Sequence, residues 1–456
     1  VTGTWGADGV IVVNVSQGGY ASAEMYSVSD QGGELRTFFK PDTSRGEVSV
    51  GAPIFLPDGE TLIFAIALQE KEADLIVYSK GEIQNRFSLQ SGEFFPGSAG
   101  LTPAYAPAGH IIYSNAQMNI RAVPFSSRTL EFEGASFLVM RDGGFPNISL
   151  DNTMIYRSLG IDSVKTQLVW VDRTGRVTEA IGNSSGIGGA VSLSPDNKFV
   201  SNIQSSDIWV YGIKDGTKTR LTSHQSLDAQ PSWSPNGDRI AFASLRSGLA
   251  DLYVITTDGM GEPELVVSSP LYDAGPDWSH DGKYLVYHAA SPETKRDLYY
   301  WSFEAGGEGT PFRNTPSHEI MPRISPNGRY VAYTSDETGQ WEVYVTSFPG
   351  GQGKVQISFN GGVQQRWSPL GNELFYVQGN TLMSVKVDTG ATFRKSNPDP
   401  LFDGGQANIR FGDGGVFEVV YDISADGRRF VAIQTTGGAQ GTITVVQNWY
   451  AEFKNQ

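Results

Sequence analysis

With 456 residues the chain is about three times the length of a typical domain, a size that repeat folds reach as one body. Hydrophobic residues at 39% suffice for a core, and 54 glycines with 23 prolines favour short strands and tight turns over helices. A net charge of -15 without any Lys/Arg cluster argues against nucleic acid or an anionic membrane surface as partner. The absence of cysteine excludes thiol chemistry, disulfides and thiolate metal sites.

No run reaches the roughly 18 apolar residues needed to span a bilayer. No leader is visible at Val1. The opening "VTGTWGADGVIVV" starts almost inside a strand pattern, as expected of a mature or trimmed chain whose leader, or more, is missing.

In chain order one pattern then recurs. It runs through "TWGADGVIVV" (4–13), "APIFLPDGETLIFA" (52–65), "PAYAPAGHIIYS" (103–114), "PNISLDNTMIYRS" (146–158) and "AVSLSPDNKFVSNI" (190–203). It continues in "PSWSPNGDRIAFAS" (231–244), "PDWSHDGKYLVYHA" (276–289), "PRISPNGRYVAYTS" (322–335), "QRWSPLGNELFYVQ" (365–378) and "YDISADGRRFVAIQ" (421–434). Successive copies stand about 45 residues apart, the period of a propeller blade. Each turn leads into an apolar strand, then a strand such as "DLYVITTDG" (251–259) or "WEVYVTSFPGG" (341–351), then a closing strand such as "TKTRLT" (217–222). Four strands per unit predict an all-β propeller of about ten four-stranded antiparallel units, beginning near 1, 51, 101, 145, 190, 231, 276, 322, 364 and 418. Ten blades exceed the usual four to eight, so the reading is one unusually large ring or two smaller rings divided near 144. The tenth unit supplies only three strands, and its closure is expected to borrow one from the N-terminus or from a neighbouring molecule.

The S-P-[DN]-G motif raises the question of a ligand-gripping loop. Proline presets a turn, Asp or Asn bonds its own backbone, and Gly takes positive φ. A phosphate loop would occur once, before a helix, whereas this motif occurs once per blade, so it reads as a structural hairpin. Gly182-Asn183-Ser184-Ser185-Gly186 matches G-x-S-x-G in form but sits in a Gly/Ser-rich loop of an all-β chain, not on a strand-to-helix elbow. Trp233, Trp278 and Trp367 recur at one repeat position and read as interblade core rather than carbohydrate platforms.

The five histidines sort onto two propeller faces. His110 and His280 lie in turns between first and second strands; His224, His288 and His318 fall on the opposite face. That face also carries Asp228, Asp273, Glu319 and Gln364, each just before an inner strand and near the axial channel. A His/carboxylate cluster there could serve acid–base chemistry, as in a polysaccharide lyase. The alternative is a set of solvated loop residues, and the spacing is too irregular to nominate a metal coordination sphere or any cofactor.

W-S-P-[DN]-G followed by an apolar strand, D-[LI]-[YW]-V and a G-x-x-x-x-L-T close resembles the TolB-type propeller repeat, best over residues 190–380. Through "TQLVWVDRTGRV" (166–177), "GNELFYVQGNTLMSVKV" (371–387) and "VVQNWYAEF" (445–453) the wider chain resembles the extracytoplasmic propeller of bacterial Ser/Thr receptor kinases and related secreted proteins. The kinase half, with its Gly-rich loop and His-Arg-Asp motif, has no counterpart. The resemblance implies a bacterial extracellular or periplasmic module that is non-catalytic. Its expected partners are proteins, or further copies of itself joined through an open blade edge. The alternative is a secreted carbohydrate-active enzyme working through His224, His288 and His318.

Overall fold

The computed structural model describes residues 2–14, 24–68, 73–89, 103–115, 119–141, 143–158, 165–182, 187–224, 226–247, 249–291, 293–409, 411, 416–437 and 442–453. These build ten antiparallel sheets and, among the described residues, no α-helix. The architecture is all-β and propeller-type. Two compact units divide the chain, one formed by Val1–Ser163 with Gly438–Gln456, the other by Val164–Gly437.

The recurrent turn explains why the strands reverse where they do. In the copy at 231–244, Gly237 adopts φ +75° and its N–H donates to the Ser234 carbonyl at 2.9 Å. The Ser234 hydroxyl accepts the Arg239 N–H at 3.0 Å and so fixes the start of the next strand. Ser194, Ser279, Ser325 and Ser424 repeat that bond to Phe199, Tyr284, Tyr330 and Arg429 at 2.9 to 3.0 Å. Where glycine is replaced, Asn197 takes φ +56°, a conformation asparagine tolerates better than most residues.

The second unit holds six blades, five of four strands and the fifth with a further short strand. Their inner strands are Gly189–Leu193, Asp228–Trp233, Asp273–Trp278, Glu319–Ile324, Val363–Trp367 and Tyr421–Ile423, called blades 1 to 6. Blade 6 is composite: Tyr421–Ile423 and Arg429–Gly437 from the far end pair with Lys165–Asp172 and Val177–Ile181 from the near end. Lys165 stands opposite Gly437 and Asp172 opposite Arg429, so both ends of the unit are laced into one sheet. The ring closes between blades 6 and 1, where the Val191 N–H donates to the Val419 carbonyl at 2.8 Å. Trp170, Phe375, Phe411, Tyr421 and Phe430 are buried in the core that joins blades 5, 6 and 1. Each fully buried ring of this size stabilises by about 1.5–3 kcal/mol relative to exposure.

The first unit stacks four sheets in sequence, with apolar layers between the first and second, second and third, and third and fourth. Its fourth sheet has three strands, Gly143–Ile148, Met154–Ser158 and Thr442–Val446. The segment after 418, read from sequence as a tenth blade, is thus shared between two sheets. Its first two strands complete blade 6, and its last pairs with Met154–Ser158 in the first unit. Residue 144 lies inside a strand of the fourth sheet, and the division between units falls at 163/164 and 437/438.

Candidate functional site: the axial channel of the six-bladed unit

The inner strands share a regularity that periodicity alone does not reveal. Ala190, Gln230, Gly275, Met321 and Gln364 take φ values between +50° and +67°. At each of these residues the register with the second strand slips by a bulge. Two residues further on, each strand places one side chain on the wall of a common axial cavity: Ser192, Ser232, Asp277, Arg323, Arg366 and Asp422. The next position carries the recurrent tryptophan. Trp233, Trp278 and Trp367 donate their indole N–H to the main-chain carbonyls of Ser192, Ser232 and Arg323 in the preceding blades, at 3.1, 3.1 and 2.8 Å. These tryptophans are interblade fasteners.

The axial acids act likewise. Asp277 accepts the Ile324 N–H of the next blade at 2.9 Å, and Asp422 accepts the Leu193 N–H of blade 1 at 2.8 Å. Burial raises the Asp277 pKa despite the nearby Arg323 and Arg366 charges. Burial, with the Arg366 charge adding to it, lowers the Arg323 pKa to about 10.

The seven loop-face candidates have separate fates. Asp228 is fully buried and paired with Arg246 at 3.0 Å, whose guanidinium lies 4.5 Å from the Tyr253 ring centre. Asp273 is also fully buried; its oxygens lie near Ser269 without a well-formed hydrogen bond, and burial pushes its pKa up to about 7. Glu319, equally buried, accepts from Thr315 and sits 3.7 Å from Arg313, yet burial still pushes it up to about 7. Gln364 clamps the chain, donating to the Phe411 carbonyl at 2.9 Å and accepting the Val420 N–H at 3.2 Å.

Only two of the three histidines come together. His288 is inaccessible to solvent, and its Nε2 lies 3.2 Å from Arg296, an obligate donor; burial and that charge hold its pKa well below the usual imidazole range. His318 bridges to the Arg296 backbone and packs on Trp341 at 5.6 Å, with its pKa lowered by burial. His224 is exposed, its Nδ1 accepting the Ser226 N–H at 3.0 Å. Among the described residues no group of three or more His, Asp or Glu side chains is arranged to hold a metal ion. Of the opposite-face pair, His110 is enclosed by Phe137, Trp449 and Tyr450 in the first unit, and His280 lines the axial cavity. Residues 183–186 of the G-x-S-x-G match lie outside the described residues.

A connector missed by sequence reading packs against the inner strands on the loop-face side. After blade 5 the chain runs from Gly404 to Val420 before entering the last inner strand. The Phe411 ring packs 5.7 Å from both Phe402 and Tyr421. The Phe417 carbonyl accepts Gln230 Nε2 at 2.8 Å, and its ring stands 4.8 Å from the Arg296 guanidinium. Among the described residues of this connector, Phe411 thus meets blade 5 and Phe417 meets blades 2 and 3. Its signal in the sequence is a spacing of 56 residues between the last two turns, against about 45 elsewhere. At the opposite, turn-bearing end the channel widens into a cavity of about 200 Å³.

Residues 145–297 match the family described as the TolB beta propeller domain. Among curated proteins the chain is 29% identical over 208 residues to the Tol-Pal system protein TolB of Francisella tularensis, covering 43% of this chain and 47% of that protein. The chain carries TolB-type propeller repeats. It is also 26% identical over 169 residues to an uncharacterized peptidase, YuxL, of Bacillus subtilis, covering 29% of this chain and 26% of that protein. A putative TolB from Agrobacterium tumefaciens of known structure aligns at 19% identity with a TM-score of 0.49, over 60% of this chain and 99% of its own. The chain thus spans about half or less of the length of these curated relatives. Within its TolB-type repeats the turn serine and the residue beside it are nearly constant, because each closes a blade. The axial position varies from Ser to Asp to Arg around the ring, and individuality of function belongs where the repeat is free to vary.

Proposed function

We propose that the chain is a non-catalytic extracytoplasmic module, residing in the bacterial periplasm, that binds protein partners through a face of its six-bladed propeller. The observation that carries this reading is the condition of the acid–base candidates. His288 is sealed against Arg296, Asp228 against Arg246, and Gln364 is tied to the Phe411 carbonyl and the Val420 N–H. A general acid or base must reach the proton it moves, and these groups face protein on every side. The likeness to a Tol-Pal system protein favours a binding role. No helix among the described residues is long and apolar enough to cross a membrane.

Self-association is the finer form of this reading. The three-stranded sheet ends at Thr442–Val446, whose outer edge has no partner strand among the described residues and whose Ile443 and Val445 are 79% and 60% exposed. An unpaired apolar edge accepts another strand readily. Photo-crosslinking from exposed Asn236, beside the open channel end, should yield discrete protein adducts in a bacterial envelope, and sizing at high concentration should show oligomers. Release of unsaturated sugar ends from acidic polysaccharides, lost in His318→Ala, would overturn the non-catalytic reading.

A further inference from the structure

We infer that the axial cavity of the six-bladed unit is a receptor for a carboxylate group, gripped by Arg323 and Arg366. The inference concerns a ligand of this cavity and stands whether or not a protein binds the propeller face. Both guanidinium groups line the cavity, and Arg323 is only 6% exposed. The Nε of each is buried and makes no hydrogen bond. A buried charged donor without an acceptor is costly to maintain, and native structures seldom keep one without a reason.

The neighbouring acids do not fill that need. Asp422 Oδ1 lies 3.6 Å from Arg366 Nε, beyond hydrogen-bond length, and both its oxygens accept main-chain N–H groups, from Ile423 at 2.9 Å and Leu193 at 2.8 Å. Asp277 Oδ2 is taken by the Ile324 N–H at 2.9 Å. The remaining arginine bonds go to carbonyls, Arg323 Nη1 to Pro322 at 2.9 Å and Arg366 Nη2 to Val191 at 3.4 Å. The acids thus staple blades together, while the two arginines keep N–H groups without acceptors.

The ligand chemistry follows. A planar carboxylate matches the guanidinium fork and can take two parallel N–H bonds, which a point anion cannot. Asp277 and Asp422 already balance the two arginine charges, so flat bidentate geometry rather than net charge favours a carboxylate over a tetrahedral phosphate. A cavity of about 200 Å³ has room for roughly six waters at about 30 Å³ each, enough for a small dicarboxylic acid or the last residue of a peptide.

Trp233, Trp278 and Trp367 line the same cavity, so their fluorescence is the probe. The chain should be titrated with succinate and with a short peptide bearing either a free or an amidated C-terminus. A saturable change with succinate identifies a free acid as the source; a change with the free-terminus peptide alone identifies a polypeptide end. Arg366→Lys keeps the charge but loses the fork and should weaken binding about tenfold. Arg323→Lys is the second variant should the first fail to fold. The proposal is overturned if neither carboxylate gives a saturable change, if the amidated peptide binds as well as the free one, or if a folded lysine variant binds like the parent.

Discussion

Asp273 offers the sharpest test of how charge is held in the blades. Its side chain is fully buried at the start of the blade 3 inner strand, and its pKa is raised from 3.8 to about 7, mainly by burial, with the charge of Asp251 adding to it. The folded state therefore keeps a proton that the unfolded chain has already released. Stability contributed in this way is present at low pH and is lost as pH rises from about 4 to about 7. The full window corresponds to about 4 kcal/mol, and roughly half of it falls between pH 5 and 7. Glu319 titrates in the same window and the same direction. His288 and His318, lowered by burial, act oppositely, adding stability as pH rises through the ordinary imidazole range. Comparison with Asp273→Asn cancels those background terms. Urea unfolding monitored by tryptophan fluorescence at pH 5, 6, 7 and 8 should show the variant more stable than the parent by about 1.5–2 kcal/mol at pH 5, the gap widening to about 4 kcal/mol at pH 8. A variant whose stability runs parallel to the parent across this range, or falls below it at pH 8, would refute the reasoning, because the ionised carboxylate would then have an adequate partner in the folded chain.

Three further substitutions test other parts of the ring. Asn202 occupies the second-strand position that holds Phe242, Tyr287, Tyr333 and Tyr376 in blades 2 to 5, and its buried amide makes no hydrogen bond; Asn202→Leu should raise the urea midpoint, by about 1–3 kcal/mol in stability. Trp278→Phe keeps a ring to stack on Phe303 at 4.7 Å but strands the Ser232 carbonyl, and should cost about 1–3 kcal/mol in the same assay. Arg246→Met leaves the fully buried Asp228 unpaired and should cost about 3–5 kcal/mol, with much of the loss recovered when Asp228→Asn is added.

What the sequence disclosed was decided by local chemistry. The serine, the turn residue and the glycine of "SPNG" act within six residues of one another, so each copy marks its own hairpin and ten copies count the sheets. The pairing of Lys165–Asp172 with Arg429–Gly437 leaves no comparable mark. It joins segments more than 250 residues apart, and either strand alone reads as an ordinary blade strand. The candidate site was half legible for a related reason. The sequence reading set Asp228, Asp273, Glu319 and Gln364 just before inner strands, where they in fact stand at the first or second strand residue, and whether such a group meets water or an arginine depends on neighbours from elsewhere in the fold. Gln364 is held by Phe411, 47 residues away, and Asp277, at the other end of its strand, is held by Ile324, also 47 residues away. The anomalous spacing before the last turn was the visible trace of the long connector between blade 5 and the last inner strand.

That segment and the composite blade together give the ring its polarity. All six inner strands run in one direction, so every blade presents a loop end and a turn end, and in an undecorated ring both ends of the channel would be open. The Gly404–Val420 connector precedes the one inner strand contributed from the far end of the unit. Phe411 of that connector packs on Tyr421 of that strand, within the core that joins blades 5, 6 and 1. At the turn end the backbone is held by serine hydroxyls and positive-φ turn residues, and the axial side chains there face a cavity. The same repeat chemistry that makes the turns recur thus leaves Ser192, Ser232, Asp277, Arg323, Arg366 and Asp422 as the positions where the ring can be particular, and two of those six carry N–H groups with nothing yet to donate to.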